Sequence, residues 1–176
     1  MALTVETGAG VTGADSYATL QACSDYAVAM YGHSLAGNTA DKEAAIRRAF
    51  AYMSTLPWKG SRTYARAQGG AWPRTGATDG DGNNIGSGEI PAEVIAAQHE
   101  FARAEFLSAG ILTPTSTKAA ANVTMEKVDV IQVQYDTDNL SGTIEDVRPI
   151  VTAAMDKIKG FLASDPTGTR FFMTVA

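Results

Sequence analysis

Residues 58–91, WKGSRTYARAQGGAWPRTGATDGDGNNIGSGEIP, limit the possible folds more than any other part of this chain. They form a long non-helical insertion between two helix-patterned segments, and they hold both tryptophans. Insertions of this length inside a compact domain are uncommon and are usually functional or disordered. Two Trp, a Tyr and a Pro-fixed turn give this one too much apolar surface to remain disordered. Trp72 precedes Pro73 and is biased away from helix, so 71–75 reads as extended. Asp81-Gly82 suits a tight reversal with positive φ, and the piece around Ile85 is expected to run back antiparallel. Pro91 then takes the first position of a helix. The expectation is a β-hairpin flap over 57–90, anchored by Trp58, Trp72 and Pro73.

Helical periodicity sets the flanks. Thr19 is an N-cap for a helix over 20–31 with Gly32 as its stop, and Leu20, Cys23, Ala27 and Tyr31 recur at helical spacing. Asn38 or Thr39 opens a second helix to about 55. Its apolar stripe is Ile46, Ala49, Phe50, Met53 and Leu56, with Lys42, Arg47 and Arg48 off it. A third helix over 91–109 carries Val94, Ile95, Gln98, Phe101, Ala102 and Phe106 on one face, with Glu93, Glu100, Arg103 and Glu105 assigned to solvent. After a polar linker, Val123, Met125 and Lys127 alternate with polar residues, as do Ile131, Val133 and Tyr135, which gives a second hairpin turning at 129–130. A last helix runs from 149 to about 162. The expected fold is mainly α: a bundle of about four helices with two β-hairpin insertions and extended termini, in one domain over 1–176.

The formal net charge of −5 excludes bulk attraction to nucleic acid. Distribution matters more, because Lys42, Arg47, Arg48, Lys59, Arg62, Arg66 and Arg74 make up half of the 14 basic residues. The sign then reverses through Asp79, Asp81, Glu89, Glu93, Glu100 and Glu105. Such polarity suits head-to-side stacking of identical subunits. One cysteine rules out an internal disulfide and any multi-Cys metal site. No run approaches a membrane span and no signal peptide opens the chain, so a protein assembled in the cytoplasm, with no membrane partner, is expected.

Several motifs resolve to structural readings. Residues 1–18 read as an extended, glycine-broken arm suited to pairing with a neighbouring subunit. Within it, GAGVTG satisfies G-x-G-x-x-G, but no helix opens at the glycines, so a dinucleotide site is not expected. Asp79 to Asn84 resembles the start of a calcium loop. Its sixth position is Asn84 and its twelfth is Ile90, where a Gly and a bidentate Glu are required, so a turn is expected instead. Cys23 lies on an apolar stripe, and His33 and His99 stand in no pairing motif with it. No catalytic residue, cofactor or metal is expected, and the chain is read as a non-enzyme.

The order Trp-Lys-Gly, Ala-Trp-Pro-Arg, Asp-Gly, then Glu-Ile-Pro opening a helix resembles a family of tailed-phage head–tail connector proteins. Members are often catalogued as DnaT-like single-stranded-DNA-binding proteins. Ala14-Asp15-Ser16-Tyr17, Lys127-Val128 and Val133-Gln134-Tyr135 extend the resemblance over roughly 14–162. It implies a structural adaptor in the virion neck, forming a ring, commonly of twelve copies, between the portal protein and a tail or stopper protein, with genomic DNA passing through its channel. The alternative is a single-stranded-DNA-binding protein.

The basic window fits either reading. For DNA, Lys59, Arg62, Arg66 and Arg74 would meet phosphates while Tyr64, Trp58 and Trp72 stack on bases. For a structural flap, the tryptophans pack on the helices and the arginines meet acidic groups of neighbours. The tail, 163–176, leaves the last helix by a Pro-Gly hinge and reads as a strand-prone docking segment. Arg170, Phe171, Phe172 and Met173 are its expected contacts with the portal.

Overall fold

The computed structural model describes residues 2–112, 125–128, 131–134 and 151–163. Four helices form the body: α1 (Leu20–Tyr31), α2 (Thr39–Met53), α3 (Ala92–Leu107) and α4 (Thr152–Ile158), the last continued by a 3-10 turn over Lys159–Phe161. The caps follow local chemistry. Thr19 accepts from the Ala22 amide and Gly32 closes α1 at φ 77, while Asn38 accepts from the Asp41 amide at the start of α2. Pro91 stands just before α3 rather than within it, and its carbonyl accepts from Val94 and Ile95. Among the described residues, no helix is long and apolar enough to cross a membrane.

Helix α3 is central, packed on α2, α4 and α1. Val94, Phe101 and Ala102 share one apolar cluster with Ile46, Phe50 and Met53 of α2 and with Met155 and Ile158 of α4. The solvent face expected for α3 is corrected at two positions, since Glu100 and Glu105 are buried. Each is paired, as an interior charge must be. Glu105 meets Arg48 at 2.6 Å and accepts from the Gly110 and Leu112 amides. Glu100 accepts from the hydroxyls of Tyr26 at 2.7 Å and Tyr31 at 2.5 Å.

The N-terminal arm is extended but lies on its own body. Val5 bridges Ser16 in parallel, Asp15 meets Arg47 at 2.6 Å, and Tyr17 packs on Phe50 with ring centroids 4.7 Å apart. Buried Gln98 joins the arm to two helices, accepting from the Tyr17 amide and donating to Ser16 Oγ and the Ile46 carbonyl. The Ala14-Asp15-Ser16-Tyr17 motif is therefore the arm's attachment to its own subunit.

The flap has more pieces than the expected hairpin. Its ladder joins β1 (Ser61–Arg62) to β2 (Arg74–Thr75), antiparallel, with Ser61 opposite Thr75. The segment around Ile85, expected to pair with 71–75, instead donates from Ile85 N to Ala77 O and makes a single bridge, Thr78 with Asn84. That bridge closes the turn at Asp79–Gly82. The Asp79 carboxylate holds the turn by accepting from Asn83 Nδ2 and from the Asn83 and Asp81 amides, which lowers its pKa. The turn reading of this would-be calcium loop stands. At its root the flap pairs with the end of the last helical segment: Trp58 bridges Leu162, and Lys59 N donates to Phe161 O. The second hairpin pairs β3 (Met125–Val128) with β4 (Ile131–Gln134) antiparallel, with Val128 opposite Ile131.

Candidate nucleic-acid interface

The flap divides into a buried root and an exposed rim. In the root, Trp72 is fully buried, edge-on to Trp58 at 5.7 Å and to Phe161 at 6.0 Å. The Trp58 indole donates to the Met53 carbonyl at 2.6 Å. The peptide bond into buried Pro73 is cis. Trp58, Trp72 and Pro73 are the expected anchors, and each buried aromatic stabilises the fold by about 2–3 kcal/mol. Burial also removes both indoles from the list of base-stacking surfaces. Tyr17 ties the arm to the root by accepting from the Trp72 amide at 3.0 Å, and burial pushes its pKa up to about 12.

Two of the four expected DNA or neighbour contacts belong to this root. Arg74 is only 9% exposed. Its guanidinium donates to four carbonyls, those of Lys59 at 2.7 Å, Gly60 at 2.6 Å, Ala71 at 3.0 Å and Trp58 at 3.4 Å. Burial and then the charge of Arg62 lower its pKa. Lys59 donates from Nζ to the carbonyls of Asp79 at 3.1 Å and Gly160 at 2.7 Å, pinning the flap to the last helical segment. Both were expected at a partner surface because they are cationic. Both instead satisfy carbonyls of irregular backbone that no ladder covers.

The other two, Arg62 and Arg66, are exposed, and their guanidiniums make no hydrogen bond or ion pair with a described residue. Between them Tyr64 is 41% exposed. Its hydroxyl donates to the Gly8 carbonyl at 3.3 Å and its amide donates to Gln68 Oε1 at 3.3 Å. Ala65, which opens a 3-10 turn over Ala65–Ala67, sits at φ 48, a left-handed conformation that costs a non-glycine residue roughly 1 kcal/mol. Thr63 Oγ1 donates to the Ser87 carbonyl at 2.6 Å. A short, tethered loop thus presents cation, aromatic ring and cation toward solvent.

The charge polarity of the sequence is largely spent inside the subunit. Arg47 turns to Asp15 and Glu43, and Arg48 to Glu105. Cys23 is buried and its thiol is pushed up to about 11, while burial lowers His99 to about 4. His33 is exposed. The tail contacts Arg170, Phe171, Phe172 and Met173 lie outside the described residues. Sequence reasoning missed Glu6, and it named Tyr17 in a motif and Gln98 on the inner face of α3 without their role in tying the arm to the body. Glu6 had a signal, since the glycine pattern that suggested an anion site follows it by two residues.

A family model described as "Putative DnaT-like ssDNA binding protein" matches residues 1–175. No curated protein and no solved structure matches the chain.

Proposed function

The chain belongs to the family that this model describes, and from that premise we propose that it is a non-enzymatic protein that contacts single-stranded DNA through the rim of its flap. Arg62 and Arg66 meet phosphates, and the Tyr64 ring between them supplies a stacking face. The observation that carries this reading is that two guanidiniums with no hydrogen bond or ion pair to a described residue flank one exposed aromatic ring on a single loop. Phosphate contacts give salt-dependent affinity, and stacking on one aromatic adds about 1–3 kcal/mol without selecting a base. Lys59, Arg74 and both tryptophans have no part in it, because the fold itself occupies them.

The size of the rim favours a second reading of the same surface. Two cations and one ring on a body of net charge −5 give one copy little hold on a strand. Many copies around one DNA would multiply it, since linked sites act at high effective concentration. That is the position of a connector subunit in a phage neck ring, a homo-oligomer of about twelve between the portal and a tail or stopper protein, with the rim facing the channel; the ring itself rests on the motif resemblance.

Fluorescence anisotropy with labelled oligo-dT tests the first reading. Binding at low salt should decline with a log–log salt slope of about −1.4, the value for two neutralised phosphates on a single strand. No binding at any salt removes it. Negative-stain images of the protein with and without a portal ring test the second, which fails if no ring forms.

A further inference from the structure

Glu6 is buried in the arm, and its carboxylate is surrounded by backbone amides. Oε1 accepts from Gly8 N and Gly10 N, each at 2.9 Å, and Oε2 accepts from Val11 N at 2.9 Å. Successive amides converging on one point make a concavity that holds an anion. Here the chain supplies its own anion, so the conformation of the 8–11 loop depends on a full negative charge at its centre.

The Tyr64 ring rests on this loop. A Cβ on Gly10 would come within 2.5 Å of Tyr64 Cδ2, so the ring lies against bare backbone, and its hydroxyl reaches the Gly8 carbonyl. Gly10 also needs φ 71, which a side chain would strain. Both groups that seat the ring, Gly8 and Gly10, are held by Glu6 Oε1. Neither Arg62 nor Arg66 makes a side-chain hydrogen bond to Gly8 or Gly10.

We propose that Glu6 is a positioning residue for DNA contact: its charge closes the glycine loop on which Tyr64 is seated, and so presents the ring for stacking. The inference rests on the DNA-contact reading above. With Glu6→Gln, one carboxylate oxygen becomes an N–H donor facing other N–H donors, and the loop loses part of its hold.

The test is a double-mutant cycle in oligo-dT binding. Glu6→Gln should weaken binding about fivefold to tenfold, within the range for one stacked base, with the salt slope unchanged because the phosphate contacts remain. In a Tyr64→Ala background the same change should do nothing further. An equal loss in both backgrounds, or a reduced slope, overturns the proposal. Gly10→Ala, which displaces the ring while Glu6 is intact, should match Glu6→Gln, and wild-type binding by Gly10→Ala also overturns it. If the wild-type protein binds no DNA, the functional reading falls and NMR decides the positioning. The contact between Tyr64 Hδ and Gly10 Hα should be lost in Glu6→Gln, and its persistence refutes the role of Glu6.

Discussion

Arg74 donates from Nη2 to the carbonyl of Gly60 at 2.6 Å, and this contact joins the two motifs, Ala-Trp-Pro-Arg and Trp-Lys-Gly, that make the flap recognisable in sequence. The same guanidinium also reaches the carbonyls of Trp58 and Lys59. Three consecutive carbonyls of one motif are thus covered by one side chain of the other. Gly60 is required there, since at φ 69 a Cβ would fall 2.5 Å from the Thr75 carbonyl oxygen.

We predict that Arg74→Ala lowers stability by about 3 kcal/mol or more, because several interior carbonyls lose a charged donor together. Arg74→Lys should recover only part of the loss, since an ammonium cannot span the fork. Urea denaturation monitored by tryptophan fluorescence measures both. A variant as stable as wild type would show that these carbonyls find water.

Arg62 and Arg66 should behave in the opposite way. Arg62→Glu and Arg66→Glu are expected to change stability by less than about 0.5 kcal/mol, as exposed side chains with no partner among the described residues do. Each should flatten the salt dependence of oligo-dT binding by about 0.7 in slope. Titrations at several salt concentrations check this, and an unaltered slope would remove that arginine from the interface.

His99 gives the fold an acid limit. Burial lowers its pKa from 6.5 to about 4, while the nearby Glu100 charge opposes that shift. The folded state therefore disfavours the imidazolium. Its contribution is complete above the unfolded value and is lost as pH falls from about 6.5 toward 4. Between pH 7 and pH 5 the loss should be at most about 2 kcal/mol. Comparing unfolding curves of wild type and His99→Gln across that window tests it, and parallel pH dependences would contradict it.

Cys23 should resist thiol reagents in the native state. It is buried, and burial with the nearby Glu100 charge pushes its thiol up to about 11, so little thiolate exists at neutral pH. Labelling with a disulfide reagent should follow unfolding rather than reagent concentration. Rapid stoichiometric labelling of folded protein would show that α1 opens locally.

The helices were legible because their signals are local and periodic. Thr19 and Gly32 bound α1 where capping chemistry puts them, and the stripe Ile46, Ala49, Phe50 and Met53 is the buried face of α2. The tryptophan anchors were legible from size and apolarity. The site was half legible. Lys59, Arg62, Arg66 and Arg74 look alike as a cationic run, and only the three-dimensional course of the loop decides which of them meet carbonyls. Glu100 and Glu105 were assigned to solvent because charge argues for exposure. Two tyrosines, an arginine and two amides reverse that argument, and a one-dimensional pattern does not show those partners.

The pairing of the flap root with the end of the last helical segment bears on how the chain is made. Lys59 reaches the Gly160 carbonyl across 101 positions, and Trp72 lies edge-on to Phe161. During synthesis, every residue of the flap leaves the ribosome long before the segment that covers its tryptophans. Until that segment emerges, the nascent flap exposes the indole surface that Phe161 covers, and the Lys59 amide and Pro57 carbonyl lack the partners they find at Phe161 and Ala163. This is the kind of surface that recruits chaperones and promotes aggregation. A premature stop before residue 151 would make that passing state permanent.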